Sequence, residues 1–149
     1  MIEILSKYKI CDSFELYSDG DLKQVCNAPK DKVGVYLWSD LDNPGRLLYI
    51  GSSGRVRCDG KLQVRKSNGT GLYGRLVEGH QFAKVLGQKL KRHESLPLMM
   101  IKDEIQRIKI EWYVTWDELN THIPAYVEAI LLQRHYETFK NLPRWHERY

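Results

Sequence analysis

No CxxC pair occurs in these 149 residues, and the three cysteines, Cys11, Cys26 and Cys58, are odd in number and widely spaced. That pattern excludes a disulfide framework and a structural zinc site of the usual spacing. Free thiols suit a reducing compartment. No stretch approaches the roughly 18 apolar residues that a bilayer span requires. The opening MIEILSKYKICDSFEL has no basic start followed by an apolar run, so no signal peptide is expected. Internal repeats, low-complexity segments and a convincing linker are also missing. The expectation is a soluble, cytoplasmic protein with no membrane partner, in which 42% hydrophobic residues fill one self-sufficient core. Charge of one sign is not abundant either. A net charge of +4 permits an anionic partner without demanding one.

What is present reads as short strands and a few helices. SFELYSDGDLKQV places an Asp19-Gly20 turn between two strand-like halves, which predicts a small hairpin inside an N-terminal extension, residues 1–32. VGVYLW (33–38) and RLLYIGSS (46–53) flank the polar turn DLDNPG and read as an antiparallel hairpin. Residues 54–71 carry four glycines among arginines and lysines and read as a long exposed basic loop. LYGRLVEGHQFAKVLGQKL (72–90) spaces Leu72, Leu76, Ala83, Leu86 and Leu90 as a helix does, although Gly74 and Gly79 weaken it. IKIEWYVTW (108–116) alternates, with Ile108, Ile110, Trp112, Val114 and Trp116 on one face, as a half-buried strand does. IPAYVEAILLQRHYETF (123–139) predicts a central helix with Pro124 in its first turn. The fold class expected is α/β (α+β): a small antiparallel or mixed three-stranded sheet flanked by helices over residues 33–149, behind the extension.

A symmetric turn at 40–45 would set Tyr36 opposite Tyr49 and Gly34 opposite Gly51. Opposed residues share a face with Cβ atoms roughly 4.5–5.5 Å apart. Two phenols would then project side by side, either as a packed aromatic pair or as two polar tips aimed at one ligand.

Gly34-Val35-Tyr36 and Tyr49-Ile50-Gly51 resemble the paired signature of the GIY-YIG nuclease superfamily. GLYGRLVEGH (71–80) is similar to that family's arginine segment, with Arg75 in the arginine's place. VEAILLQRHYETFKN (127–141) is similar to its glutamate helix, with Glu128 and Asn141 in position. The insertion from Gly54 to Gly71, and Glu128-Ala-Ile-Leu-Leu-Gln-Arg, resemble the restriction-endonuclease branch. The likeness spans residues 33–142.

The resemblance implies a GIY-YIG-like fold and hydrolysis of DNA phosphodiester bonds with Mg²⁺ or Mn²⁺. Arg75 would clamp a phosphate, because a planar guanidinium matches its geometry. Glu128 would ligate the metal, since a carboxylate inside VEAILL is costly unless paired or bound to a cation. A salt bridge to Arg134 is the plain alternative. Tyr36 takes the place of the tyrosine that contacts the attacking water, Tyr49 would orient water or phosphate, and Asn141 would hold the site together. His80 stands five residues after Arg75 rather than four. It joins the site only if Gly79 bends or ends the helix, since the two side chains otherwise diverge by about 140°. Arg55, Arg57, Lys61, Arg65 and Lys66 form a basic run suited to DNA backbone contact. Trp145 and His146 are read as packing or dimer contacts. A sequence-specific restriction-type enzyme, in which cutting both strands would favour a homodimer, competes with two other readings. One is a catalytically silent DNA-binding module, and the other is a nuclease module of a repair or mobile-element assembly.

Overall fold

The computed structural model describes residues 1–64, 71–83 and 87–147. Its elements run α1 (Ile2–Leu5), β1 (Cys11–Tyr17), α2 (Leu22–Val25), β2 (Gly34–Asp40), β3 (Arg46–Ser53), β4 (Arg55–Val56), β5 (Leu62–Gln63), α3 (Gly71–Val77), β6 (His80–Ala83), β7 (Gln88–Lys91), α4 (Arg92–Lys102), β8 (Arg107–Val114) and α5 (Pro124–Phe139). The principal sheet has four antiparallel strands in the order β1-β8-β2-β3. The α+β class is as expected, with one strand more than the three anticipated. The extra strand, β1, belongs to the N-terminal segment and pairs with β8 from Cys11↔Tyr113 to Tyr17↔Arg107. No local pattern in residues 1–32 announces a partner so distant in sequence.

Both faces of the sheet are covered. On one, Tyr36, Trp38, Leu48, Ile110 and Trp112 meet Leu72 and Leu76 of α3 and Leu96 and Met100 of α4. On the other, Val35, Leu37, Leu47 and Ile50 meet Val127, Leu131 and Leu132 of α5. A strand buried on two sides reads as a continuous apolar run, which is why VGVYLW does not alternate. β8 does alternate, with Ile108, Ile110, Trp112 and Val114 buried and the residues between them less so. Trp116 lies beyond its end, in an isolated bridge to Thr121. α5 begins at Pro124 and ends at Lys140, which takes the left-handed conformation at φ 58°. No helix among the described residues is long and apolar enough to cross a membrane.

Four local expectations need correction. After the Asp19-Gly20 turn the chain enters α2 rather than a second strand, because Asp21 caps it by accepting from the Lys23 N–H at 3.0 Å. The helix predicted over 72–90 ends at Val77, two residues before Gly79. The chain then forms a hairpin, β6 against β7, and a separate helix, α4. Two glycines within six residues weaken a continuous helix by about 1 kcal/mol each relative to alanine. The basic loop 54–71 is partly a hairpin, with Arg55↔Gln63 and Val56↔Leu62 paired around a turn closed by Gly60 N–H to Arg57 O at 2.9 Å.

The fourth correction concerns register. Tyr36 lies opposite Gly51, Trp38 opposite Tyr49, and Gly34 opposite Ser53. The turn is not symmetric, because the buried Asp40 carboxylate accepts from Asp42 N at 2.9 Å and Asn43 Nδ2 at 3.0 Å and pairs with Arg46. It winds the turn around itself, and a bulge follows, with Ser39 facing Leu47. Leu48 is the extra residue, so Leu48 and Tyr49 both face the α3/α4 side. Tyr36 and Tyr49 become diagonal neighbours, with ring centroids 6.3 Å apart and planes 22° apart.

The shifted register explains both motif glycines. A Cβ on Gly51 would sit 2.4 Å from the Tyr36 ring, and one on Gly34 would sit 1.9 Å from the Tyr113 carbonyl oxygen. Gly51→Ala therefore forces the fully buried Tyr36 ring aside. Overpacking of this kind costs about 1–3 kcal/mol, so the urea midpoint should fall without a change in slope. An unchanged midpoint would show that the ring does not rest on Gly51.

Candidate active site

β3 is an edge strand, and its outer edge gathers side chains from both layers. Tyr49 points to the α3/α4 side, where Tyr36, Trp38 and Arg75 also lie. Ser52 points to the α5 side, where its Oγ donates a hydrogen bond to Glu128 Oε2. Glu128 sits one residue past the buried Val127, so it leaves the apolar face of α5 at the sheet margin and is half-buried. Arg75 occupies the last turn of α3, one residue before the buried Leu76 and Val77. Two helices on opposite faces thus deliver a guanidinium and a carboxylate to one strand edge.

The charges of these groups are coupled. The Arg75 guanidinium is held above its usual range by the charge and hydrogen bonding of Tyr36, with Tyr49 and Glu128 adding to the effect. It stays cationic. Burial pushes the Glu128 carboxyl up, although the Ser52 hydrogen bond and the charges of Arg75 and Arg92 oppose the rise. Burial also raises the Tyr49 phenol, aided by Tyr36 and Glu128 and resisted by Arg92 and Arg75. The nearby cations therefore do not overcome desolvation at Tyr49.

Tyr36 and Tyr49 differ in access. Tyr36 is 0% exposed, whereas Tyr49 is half-buried between Trp38, at 4.7 Å between ring centroids, and His146, stacked at 4.3 Å with planes 6° apart. The groups open to an incoming ligand are thus Tyr49, Ser52, Arg75 and Glu128. No group of three or more His, Cys, Asp and Glu suited to a metal occurs among the described residues. A hard cation held here would take the Glu128 carboxylate, with its other ligands coming from water and the ligand's own oxygens.

Sequence reasoning missed Arg92. It stands just past the leucine-spaced segment 72–90, and nothing in its spacing marks it. The first residue of α4, it is 1% exposed. Its Nη1 donates to the Tyr36 hydroxyl at 2.5 Å and to the Arg75 carbonyl at 2.9 Å, and its Nη2 donates to the Tyr49 hydroxyl at 3.4 Å. The rings of Tyr36, Trp38 and Tyr49 surround its central carbon at 5.3, 5.0 and 5.3 Å. Ser52 and His146 were also missed as neighbours of the site. His146 Nε2 lies 2.8 Å from the Ile50 carbonyl oxygen and 3.1 Å from the Ile50 N–H, the tautomer setting which of the two it bonds, and the Trp145 N–H donates to the Leu48 carbonyl at 2.8 Å. Residues 145–146 therefore pack along β3.

Two anticipated residues lie elsewhere. His80 opens β6 opposite Lys91 and is exposed. The helix does end before it, but no hydrogen bond or ion pair joins His80 to the site among the described residues. Asn141 is exposed past the end of α5, with its Nδ2 on the Phe139 carbonyl at 3.2 Å. It also hydrogen-bonds His135, whose imidazole burial pushes down. Asn141 finishes a helix here. Arg55, Arg57 and Lys61 are exposed on the β4–β5 hairpin that continues directly from β3, and Arg57 lies 3.7 Å from Asp59. Arg65 and Lys66 lie outside the described residues. Comparison with family models, with curated proteins and with solved structures finds no match.

Proposed function

We propose that this chain is a divalent-metal-dependent endonuclease of the GIY-YIG type that hydrolyses DNA phosphodiester bonds, in the manner of a restriction-type enzyme. One observation carries the reading. A cationic guanidinium and a desolvated carboxylate converge from separate helices on the edge of one strand, with a half-exposed phenol between them. A module that only binds DNA through its backbone has no need to bury Glu128 there.

Arg75 would grip the phosphoryl oxygens through its planar donor fork and neutralise charge that grows in the transition state. Glu128 fits Mg²⁺ or Mn²⁺. Its donor is a hard oxygen, and burial makes its negative charge costly until a cation arrives. Such a metal supplies Lewis acidity toward the departing oxygen. Ser52 fixes the rotamer of Glu128, and Tyr49 presents its hydroxyl to water or phosphate. Arg55, Arg57 and Lys61 extend a positive track away from β3 along the DNA backbone.

Labelled duplex DNA should be cut with Mg²⁺ or Mn²⁺ and stay intact with chelator; identical cutting in chelator would remove the metal from the account. Replacing Arg55, Arg57 and Lys61 by glutamine should weaken duplex binding and flatten its dependence on log salt by about 0.9 for each phosphate no longer neutralised. A slope equal to the parent's would return the hairpin to an ordinary solvated face.

A further inference from the structure

Arg92 is too buried to touch DNA, yet it is bonded to both phenols of the site. A guanidinium donates hydrogen bonds and never accepts them. At 2.5 Å from Arg92 Nη1 the Tyr36 oxygen is therefore an acceptor, and its own hydrogen points elsewhere. A charge in this position is costly unless its surroundings are arranged around it. Here three aromatic faces, two hydroxyls and one helix-end carbonyl are so arranged. That carbonyl belongs to Arg75, so the same guanidinium reaches the backbone that carries the phosphate clamp. Among the described residues, the charged and titratable groups around it include Tyr36, Tyr49, Arg75 and Glu128, with His146 stacked beyond Tyr49.

We propose that Arg92 is a positioning residue of the active site, binding Tyr36 as a buried support so that Tyr49 is the phenol that meets the substrate side and Arg75 is held in register. This moves Tyr36 from the water-contacting place that the family resemblance implies to a buried support, and leaves Tyr49 facing water or phosphate. For its rate readout it rests on the nuclease reading.

The test compares the parent with Arg92→Met, Arg92→Lys, Tyr36→Phe and Tyr49→Phe. The readouts are single-turnover cleavage in Mg²⁺, duplex affinity in Ca²⁺, and the tyrosine Cζ resonances of ¹³C-labelled protein. Displacing a catalytic group by about 1 Å costs about 10²-fold in rate, so Arg92→Met should lose about that much with duplex affinity within about twofold of the parent's. Arg92→Lys keeps the charge without the fork and should regain under about tenfold. Tyr49→Phe should slow cleavage more than Tyr36→Phe, and adding Tyr36→Phe to Arg92→Met should cost nothing more, since the two act as one unit. The Tyr49 Cζ resonance should move in Arg92→Met. Folded Arg92→Met cutting at the parent rate, or losses with Tyr36→Phe that multiply, would overturn the proposal. If the parent itself does not cut, the nuclease reading falls alone, and the resonance then decides: a Tyr49 signal unmoved by Arg92→Met overturns the positioning role.

Discussion

Arg75→Ala should slow single-turnover cleavage by about 10²–10³-fold, the usual cost of removing one preorganised donor from a transition state. The substitution removes the charge and the planar fork but not the backbone carbonyl that Arg92 holds, so α3 keeps its anchor. Binding of duplex DNA should weaken less than the rate falls, because the interaction strengthens as charge develops on the phosphoryl oxygens. Arg75→Lys should recover little, since an ammonium makes one contact where the fork makes two. Arg107→Ala is the control. Arg107 lies at the start of β8, 3.8 Å from Asp42 and away from this edge, and its replacement should leave the rate near the parent's. A folded Arg75→Ala protein cutting at the parent rate would remove the clamp from α3.

Glu128→Gln should lower the rate by about 10³-fold or more, taking the metal's stabilisation of the leaving oxygen as several kcal/mol. The same change should raise stability in chelator. Because the folded protein favours the neutral carboxyl of Glu128, that residue's favourable contribution is complete at low pH and is lost as pH rises through its elevated value. The glutamine stays neutral throughout. Its melting temperature in chelator should exceed the parent's at about pH 8, and the gap should close towards about pH 4, near the ordinary glutamate value. Added Mg²⁺ should raise the parent's melting temperature and leave that of the variant unmoved, since only the parent keeps the ligand. A parent more stable than the variant in chelator at neutral pH would show that Arg75 and Arg92 outweigh burial at this carboxyl.

The structure brings Tyr49, Arg75 and Glu128 to the edge of β3, with Tyr36 buried behind them on β2. The two strands carrying the tyrosines, the alternation of β8 and the proline-started α5 are legible in the sequence because each is fixed by neighbours in the chain. The register of β2 on β3 is not. It depends on Asp40 folding the turn around its own carboxylate and on the bulge at Leu48, neither of which a count of loop residues contains. α3 and the β6–β7 hairpin read as one helix because leucine spacing continues through 72–90, whereas the helix ends at Val77, two residues before Gly79. Arg92 is hidden for a related reason. Its importance comes from where α4 begins in space, and a basic residue in a basic stretch carries no local sign of burial. His80 and Asn141 match the motif by position, and the structure leaves both exposed, His80 at the start of β6 and Asn141 just past α5.

The most direct measurement is the fate of supercoiled plasmid incubated in Mg²⁺ with the parent, with Arg75→Ala and with Glu128→Gln, each verified as folded. The account predicts linear or nicked DNA from the parent, none from the parent in chelator, and intact plasmid with either variant over the same interval. Intact plasmid with the folded parent across a range of duplex sequences, or cutting that survives both substitutions, would contradict it.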